Sequence, residues 1–218
     1  YIFIRDGEII GRGEAAPSLR YNESTERILS ILKQKIKLPV DCSNRDEIWN
    51  FILPQLKEVK ALESAFSMAL WDWWGQKCEK PVFELFNMKT DEMPLTSFTI
   101  AIGELDEIGQ KVDEADPYHI LKVKLGTPTM DKEIIKEIRR HTDKVIRIDA
   151  NEGWQSETAL DLTKWLADQN VEFVEQPFPA DQLDHTAVLK DKSPLDIYAD
   201  ENSLNSADIP RISNAFDG

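Results

Sequence analysis

Asp149, Glu175 and Asp200 each close a short run of strand-forming residues, and they follow one another at intervals of 26 and 25 residues. The runs are Lys144-Val145-Ile146-Arg147-Ile148-Asp149, Val171-Glu172-Phe173-Val174-Glu175 and Leu195-Asp196-Ile197-Tyr198-Ala199-Asp200. Counting back by 25 reaches Lys124, at the end of Ile120-Leu121-Lys122-Val123-Lys124, and by 25 again Thr99, in Leu95-Thr96-Ser97-Phe98-Thr99-Ile100. A period near 25 holding one strand and one helix is a repeated βα unit. Reactive groups confined to C-terminal strand ends are how a (β/α) barrel builds its active site. Three carboxylates converging there repel one another unless a cation holds them together. All-oxygen donors point to Mg²⁺, with Mn²⁺ as a substitute.

Side chains alternate along a strand, so residues two apart share a face. Lys122 and Lys124 therefore share one face, and Leu121 and Val123 share the apolar opposite one. By the same rule Arg147 lies with Asp149, Phe173 with Glu175 and Tyr198 with Asp200. Lys124 is the candidate base. A lysine serves as a base when burial, a nearby metal or a second ammonium favours the neutral amine, and Lys122 can supply that ammonium. A metal beside a lysine base suits removal of a proton next to a carboxylate, with the metal stabilising the enediolate.

The elements that would position these groups begin near Pro94. Helices are expected at 104–115, 131–141, 156–169 and 181–191, the third with Ser156 as its N-cap. The first ~90 residues keep a different rhythm. Tyr1–Arg5 and Glu8–Gly13 read as strands around an Asp6-Gly7 turn. Amphipathic helices are expected at 24–36 and 45–59, with Pro54 kinking or dividing the second. A buried helix is expected at 61–75, where Trp71, Trp73 and Trp74 read as core aromatics. The expected fold class is α/β: an α+β domain over residues 1–92, then a TIM-type barrel over residues 93–218. Five barrel strands do not close a barrel, which needs eight. The chain thus reads as an internal piece of a longer protein, cut at both ends.

Composition excludes several classes. At 218 residues with 41% hydrophobic and 30% charged residues, the chain is ordinary for a globular protein. A net charge of −14 lacks the basic footprint that nucleic-acid binding needs. No stretch reaches the ~18 apolar residues of a membrane span. Cys42 and Cys78 are too few for a disulfide framework or a zinc cluster. His119, His141 and His185 are scattered and form no ligand set. Nucleotide-loop and serine-hydrolase motifs are absent. Cytoplasmic is the default location, and a homo-oligomer is allowed.

Several segments carry a resemblance to a known family. Glu8-Ile9-Ile10-Gly11-Arg12-Gly13-Glu14-Ala15 resembles a G-x-G-E-A hairpin, and Ala65-Phe66-Ser67-Met68-Ala69-Leu70-Trp71-Asp72 an A-x-x-M-A-L-W-D helix. Pro81–Phe86 resembles the segment that leads into the barrel. More specific is the ordered set Lys122-Val123-Lys124, Arg147-Ile148-Asp149-Ala150-Asn151, Val174-Glu175-Gln176-Pro177 and Ala199-Asp200-Glu201. Together they resemble the enolase superfamily, in its muconate-lactonizing-enzyme subgroup, over nearly the whole chain. The resemblance implies an α+β capping domain before the barrel and Mg²⁺ ligation by Asp149, Glu175 and Asp200. It implies that Lys124 is the acid/base on one face of the substrate α-carbon, with Lys122 beside it and Asn151 and Glu201 supporting the ligands. The Ser18–Glu23 loop is similar to the capping loop that covers the substrate, which makes Arg20 and Tyr21 candidate substrate contacts. Thr99 is a third, because Thr96–Ile100 is similar to the first barrel strand of dipeptide epimerases. The implied activity is an Mg²⁺-dependent isomerase that epimerises dipeptides of the Ala-Glu type through an enediolate. Muconate cycloisomerase, o-succinylbenzoate synthase and N-acylamino acid racemase share the half-site, and a non-catalytic barrel is the non-enzyme alternative. A second lysine at strand six and an Asp-x-Asp at strand eight would fall beyond Gly218.

Overall fold

Isoleucines two apart in Ile2–Asp6 (β1) face Gly11 and Gly13 of Ile9–Gly13 (β2) in an antiparallel pair. The turn is Gly7-Glu8, one residue later than expected, with Gly7 at φ 59° and Asp6 still paired to Ile9. The computed structural model describes residues 1–39, 44–127 and 129–218, so Cys42 lies outside the described residues. Two units result, Tyr1–Met93 and Pro94–Gly218.

In the first unit, α1 (Thr25–Leu32) starts where Ser24 accepts the Arg27 amide at 3.2 Å and buries Ile28 and Ile31. It is shorter than expected, because Lys35 turns left-handed at φ 55°. Asn44 caps α2 (Arg45–Ile52), and Pro54 divides the expected longer helix, the chain continuing as a 3-10 turn over Leu53–Leu56. The long α3 (Lys60–Cys78) lies against the hairpin. The approach is close enough that a Cβ on Gly11 or Gly13 would run into the carbonyls of Ala69 and Ala65. Those glycines, with the small alanines opposite, let backbone meet backbone. Trp73 is buried and Trp74 packs on the same core, as expected. Trp71 is half-buried, under the Arg45 guanidinium 4.0 Å from its ring centre. A short α4 (Val82–Leu85) follows.

The second unit alternates strand and helix: β3 (Ser97–Ile100), α5 (Ile108–Glu114), β4 (Ile120–Lys124), α6 (Asp131–His141), β5 (Val145–Asp149), α7 (Ser156–Ala167), β6 (Val171–Glu175), α8 (Leu183–Lys190), β7 (Asp196–Tyr198) and α9 (Ile209–Ile212). The five strands form one parallel sheet in chain order, β3-β4-β5-β6-β7. This is the partial (β/α) barrel arrangement expected. Leu121, Val123, Ile146, Ile148, Val174 and Ile197 are fully buried on one face, in a core with Ile135, Ile138 and Leu166 from the helices. Burying each such side chain stabilises by about 1.5–3 kcal/mol. Two local details differ from expectation. Gln155, not Ser156, occupies the N-cap position of α7 and makes no capping bond. β7 ends at Tyr198, two residues before Asp200. Among the described residues no helix is long and apolar enough to cross a membrane.

Candidate metal centre

Parallel pairing places the ends of β4, β5 and β6 side by side: Lys124 is the neighbour of Asp149, and Asp149 of Glu175. Asp200 follows β7, the strand hydrogen-bonded to β6. One carboxylate oxygen from each of Asp149, Glu175 and Asp200 lies within 4.8 Å of the others. Asp149 is fully buried, Glu175 partly buried and Asp200 exposed, so the cluster runs from sheet to solvent.

Both lysines bond into it. The Lys122 ammonium donates to Glu175 Oε1 and Oε2 at 2.9 and 2.7 Å and lies 2.8 Å from Asp149 Oδ2. The Lys124 ammonium donates to Asp149 Oδ2 at 2.6 Å and to Asn151 Oδ1 at 2.7 Å. Asn151 in turn donates its amide to Asp149 Oδ1 at 3.0 Å and its side chain to Glu201 Oε1 at 3.5 Å. Thr99 is exposed on β3 and pairs with Lys122. Seven of the residues singled out from sequence are thus together, with Thr99 one strand away. Arg20 and Tyr21 are exposed in the first unit, on the 3-10 turn Leu19–Tyr21 that Ser18 caps.

The electrostatics sort the carboxylates. Burial works against ionised Asp149, yet its bonds to Lys122 and Lys124 leave its pKa below the ordinary aspartate value. Burial, with the charges of Asp149 and Asp200 added, leaves Glu175 above the ordinary glutamate value although Lys122 opposes this. Burial pulls the Lys122 ammonium down, but Asp149 and Glu175 outweigh it and hold it above the ordinary lysine value. Lys122 therefore acts on these carboxylates as a counter-ion, a different emphasis from the like-charge neighbour of Lys124 expected from sequence.

The donor set fits a hard divalent cation. Oxygens around Mg²⁺ sit at ~2.1 Å, so a coordinating trio spans ~3–4 Å, which small side-chain rotations reach from the observed spacing. Such a cation would relieve the repulsion that burdens Glu175. A pH dependence follows with a definite sign. Asp149, with its depressed pKa, contributes stability above its unfolded value, and that is lost as pH falls through the folded one. Glu175, with its raised pKa, contributes the opposite: its ionisation costs stability above the folded pKa, and the cost vanishes on acidification. Cation binding needs Glu175 ionised, so Mg²⁺ affinity should begin to fall on the alkaline side of 4.5, the ordinary glutamate value. Calorimetric titration from about pH 7.5 to about pH 5 checks this, with proton release accompanying binding at the acid end.

The loops that carry these residues are held by groups sequence reasoning passed over. Asp131, at the start of α6, accepts from the amides of Gly126 and Thr127, from Thr127 Oγ1 at 2.7 Å and from Trp154 Nε1 at 2.9 Å. It thereby ties the loop after Lys124 to the loop after Asp149. Gly126, at φ 104°, permits the crossing, since a Cβ there would strike the Ala150 carbonyl. From sequence Asp131 resembled any acid in a helix first turn. Asp131→Ala would leave buried donors unsatisfied and is expected to cost about 3 kcal/mol. Urea unfolding followed by tryptophan fluorescence measures it.

Comparison with known proteins agrees with this geometry. Residues 105–215 match the family described as Enolase C-terminal domain-like. The chain is 36% identical over 211 residues to an L-Ala-D/L-amino acid epimerase of Flavobacterium johnsoniae, covering 95% of this chain and 62% of that protein. It is 34% identical over 214 residues to an L-Ala-D/L-Glu epimerase of Bacteroides thetaiotaomicron, covering 96% of this chain and 55% of that one. The fold superimposes on a dipeptide epimerase from Cytophaga hutchinsonii, solved with Mg and the dipeptide D-Ala-L-Val, with TM-score 0.78 and 26% identity over 96% of this chain and 60% of that one. The chain thus spans a little over half the length of the relatives it matches.

Proposed function

The chain belongs to the enolase superfamily, in its muconate-lactonizing-enzyme subgroup, and from that premise we propose that it carries the metal-binding half-site and one acid/base of an Mg²⁺-dependent dipeptide epimerase. The observation that carries this reading is the approach of three carboxylates to within 4.8 Å of one another with the Lys124 ammonium 2.6 Å from Asp149. Asp149, Glu175 and Asp200 would hold the cation. When bound, Mg²⁺ supplies positive charge to the substrate carboxylate and so acidifies the adjacent α-hydrogen.

The chain's own groups do the rest. Lys124 removes the α-proton from one face of the C-terminal residue's α-carbon, or returns it there, while the electron pair spreads into the carboxylate as an enediolate. Lys122 and Asn151 hold Asp149 and Lys124 in register, with Glu201 behind Asn151. Thr99, paired with Lys122 on the neighbouring strand, is the proposed substrate contact. The substrate class is an L-Ala dipeptide whose second residue carries the inverted centre, in keeping with the relatives' activities.

The test is isotopic. The protein that carries this chain is incubated in D₂O with Mg²⁺ and L-Ala dipeptides, beside muconate and succinylbenzoate precursors, and followed by NMR. Deuterium at the α-carbon of the dipeptide's second residue supports the reading. Turnover of the cycloisomerase substrates alone, or Mg²⁺-independent exchange, refutes it.

A further inference from the structure

Gln176 follows Glu175 and is fully buried, at a left-handed φ of 41°. A non-glycine residue holds that conformation only where its surroundings over-determine it. Here they do. Its amide donates to the Tyr198 carbonyl at 2.8 Å and its carbonyl accepts the Glu152 amide at 2.8 Å. Its side-chain Oε1 accepts the amides of Asp200 at 3.0 Å and Asn202 at 3.3 Å. Its Nε2 donates to the Phe178 carbonyl at 2.9 Å and to Asn202 Oδ1 at 2.6 Å. Asn202, also buried, donates its side-chain Nδ2 to the Ala180 carbonyl at 2.8 Å. A carboxamide has two donor hydrogens and two acceptor lone pairs, and all four are used.

The consequence lies in what those bonds fix. β7 stops at Tyr198, so no sheet pairing of that strand extends to Asp200. The Asp200 amide is held by the Gln176 side chain, which belongs to the residue after Glu175. We propose that Gln176 is a positioning residue that sets the distance between the second and third carboxylates of the metal centre, through the backbone of Asp200. The proposal rests on the reading of Asp149, Glu175 and Asp200 as the metal ligands. Every polar position of the Gln176 side chain is spent on protein groups, so its action runs through the Asp200 backbone.

The predicted signature is coupling, not merely lost stability. Mg²⁺ alone is titrated calorimetrically, well below the melting transition, into the wild-type chain and into Gln176→Met, Asp200→Asn and the double variant. Methionine keeps the length and removes the acceptor. Supporting groups of this kind are worth ~10–100-fold in metal affinity. Gln176→Met should lose affinity in that range, and Asp200→Asn in that background should lose little more, because the lost distance and the lost ligand are one defect. Asn202→Ala, which deletes a partner of Nε2 but spares the Asp200 bond, should stay within about 3-fold of wild type on the same reasoning. Undiminished affinity in Gln176→Met, or losses that multiply in the double variant, overturns the proposal while leaving the metal ligands standing. No Mg²⁺ binding by the wild type overturns the metal reading, and the proposal with it. Amide exchange of the wild type needs no variant: the Asp200 amide should be as protected as that of Ile197 in β7, and free exchange there also overturns the assignment.

Discussion

Asp149→Asn is expected to lower Mg²⁺ affinity by at least about 100-fold, the largest loss of any single change at the cluster. Asp149 is the only fully buried carboxylate of the three and receives both lysine ammoniums on the same oxygen. Asparagine keeps the size and removes the charge. A neutral amide oxygen is a weaker ligand for a hard cation, and Lys122 and Lys124 would then lack their common counter-ion. The change should therefore also destabilise the metal-free chain, by about 3 kcal/mol, because one member of a buried charge network is removed and the others stay. Glu175→Gln should weaken Mg²⁺ less than Asp149→Asn and with a smaller stability loss, since ionised Glu175 is already held against its preference. Calorimetry gives the affinity and thermal melting the stability. Unchanged Mg²⁺ binding in both variants would remove these residues from the metal centre.

Lys124→Ala is expected to reduce α-proton exchange from one face of the dipeptide by about 10³-fold, within the range for loss of a general base. The readout is direction-specific. Dipeptides of the two configurations at the second residue are incubated separately in D₂O, and only the one that presents its hydrogen to Lys124 should lose exchange. Stability should move little, because the Lys124 side chain is about a third exposed. Lys122→Ala should behave differently. Removing the ammonium that bridges Asp149 and Glu175 leaves those carboxylates facing each other, so its effect should fall on both configurations alike. If Lys124→Ala exchanges both configurations at the wild-type rate, Lys124 is not the base.

Much of this was legible in the chain itself. The 25-residue period appears because one strand, one helix and their two loops make up each repeated unit, and alternation along the strand puts its last polar residue at the same end each time. Lys122, Lys124, Asp149, Glu175 and Asp200 were therefore locatable from spacing and residue type alone, and β3 to β7 fell where the apolar runs stand. The helix ends were less legible. Lys35 adopts a left-handed turn inside an amphipathic pattern, and Gln155 displaces Ser156 from the cap, because such local choices yield to packing.

Tertiary structure decided the supports. Asp131 meets Trp154, 23 residues on, and Gln176 meets the amides of Asp200 and Asn202, 24 and 26 residues on. Backbone amides are alike at every position, so nothing in the letters distinguishes the one a side chain will bind. Likewise Lys122 looked like a neighbour of Lys124, since alternation puts them on one face. Only the folded sheet shows its ammonium between Asp149 and Glu175. Strand periodicity fixes which face a residue shares, but charge partners across strands follow from register and distance, and those exist only once the chain has folded.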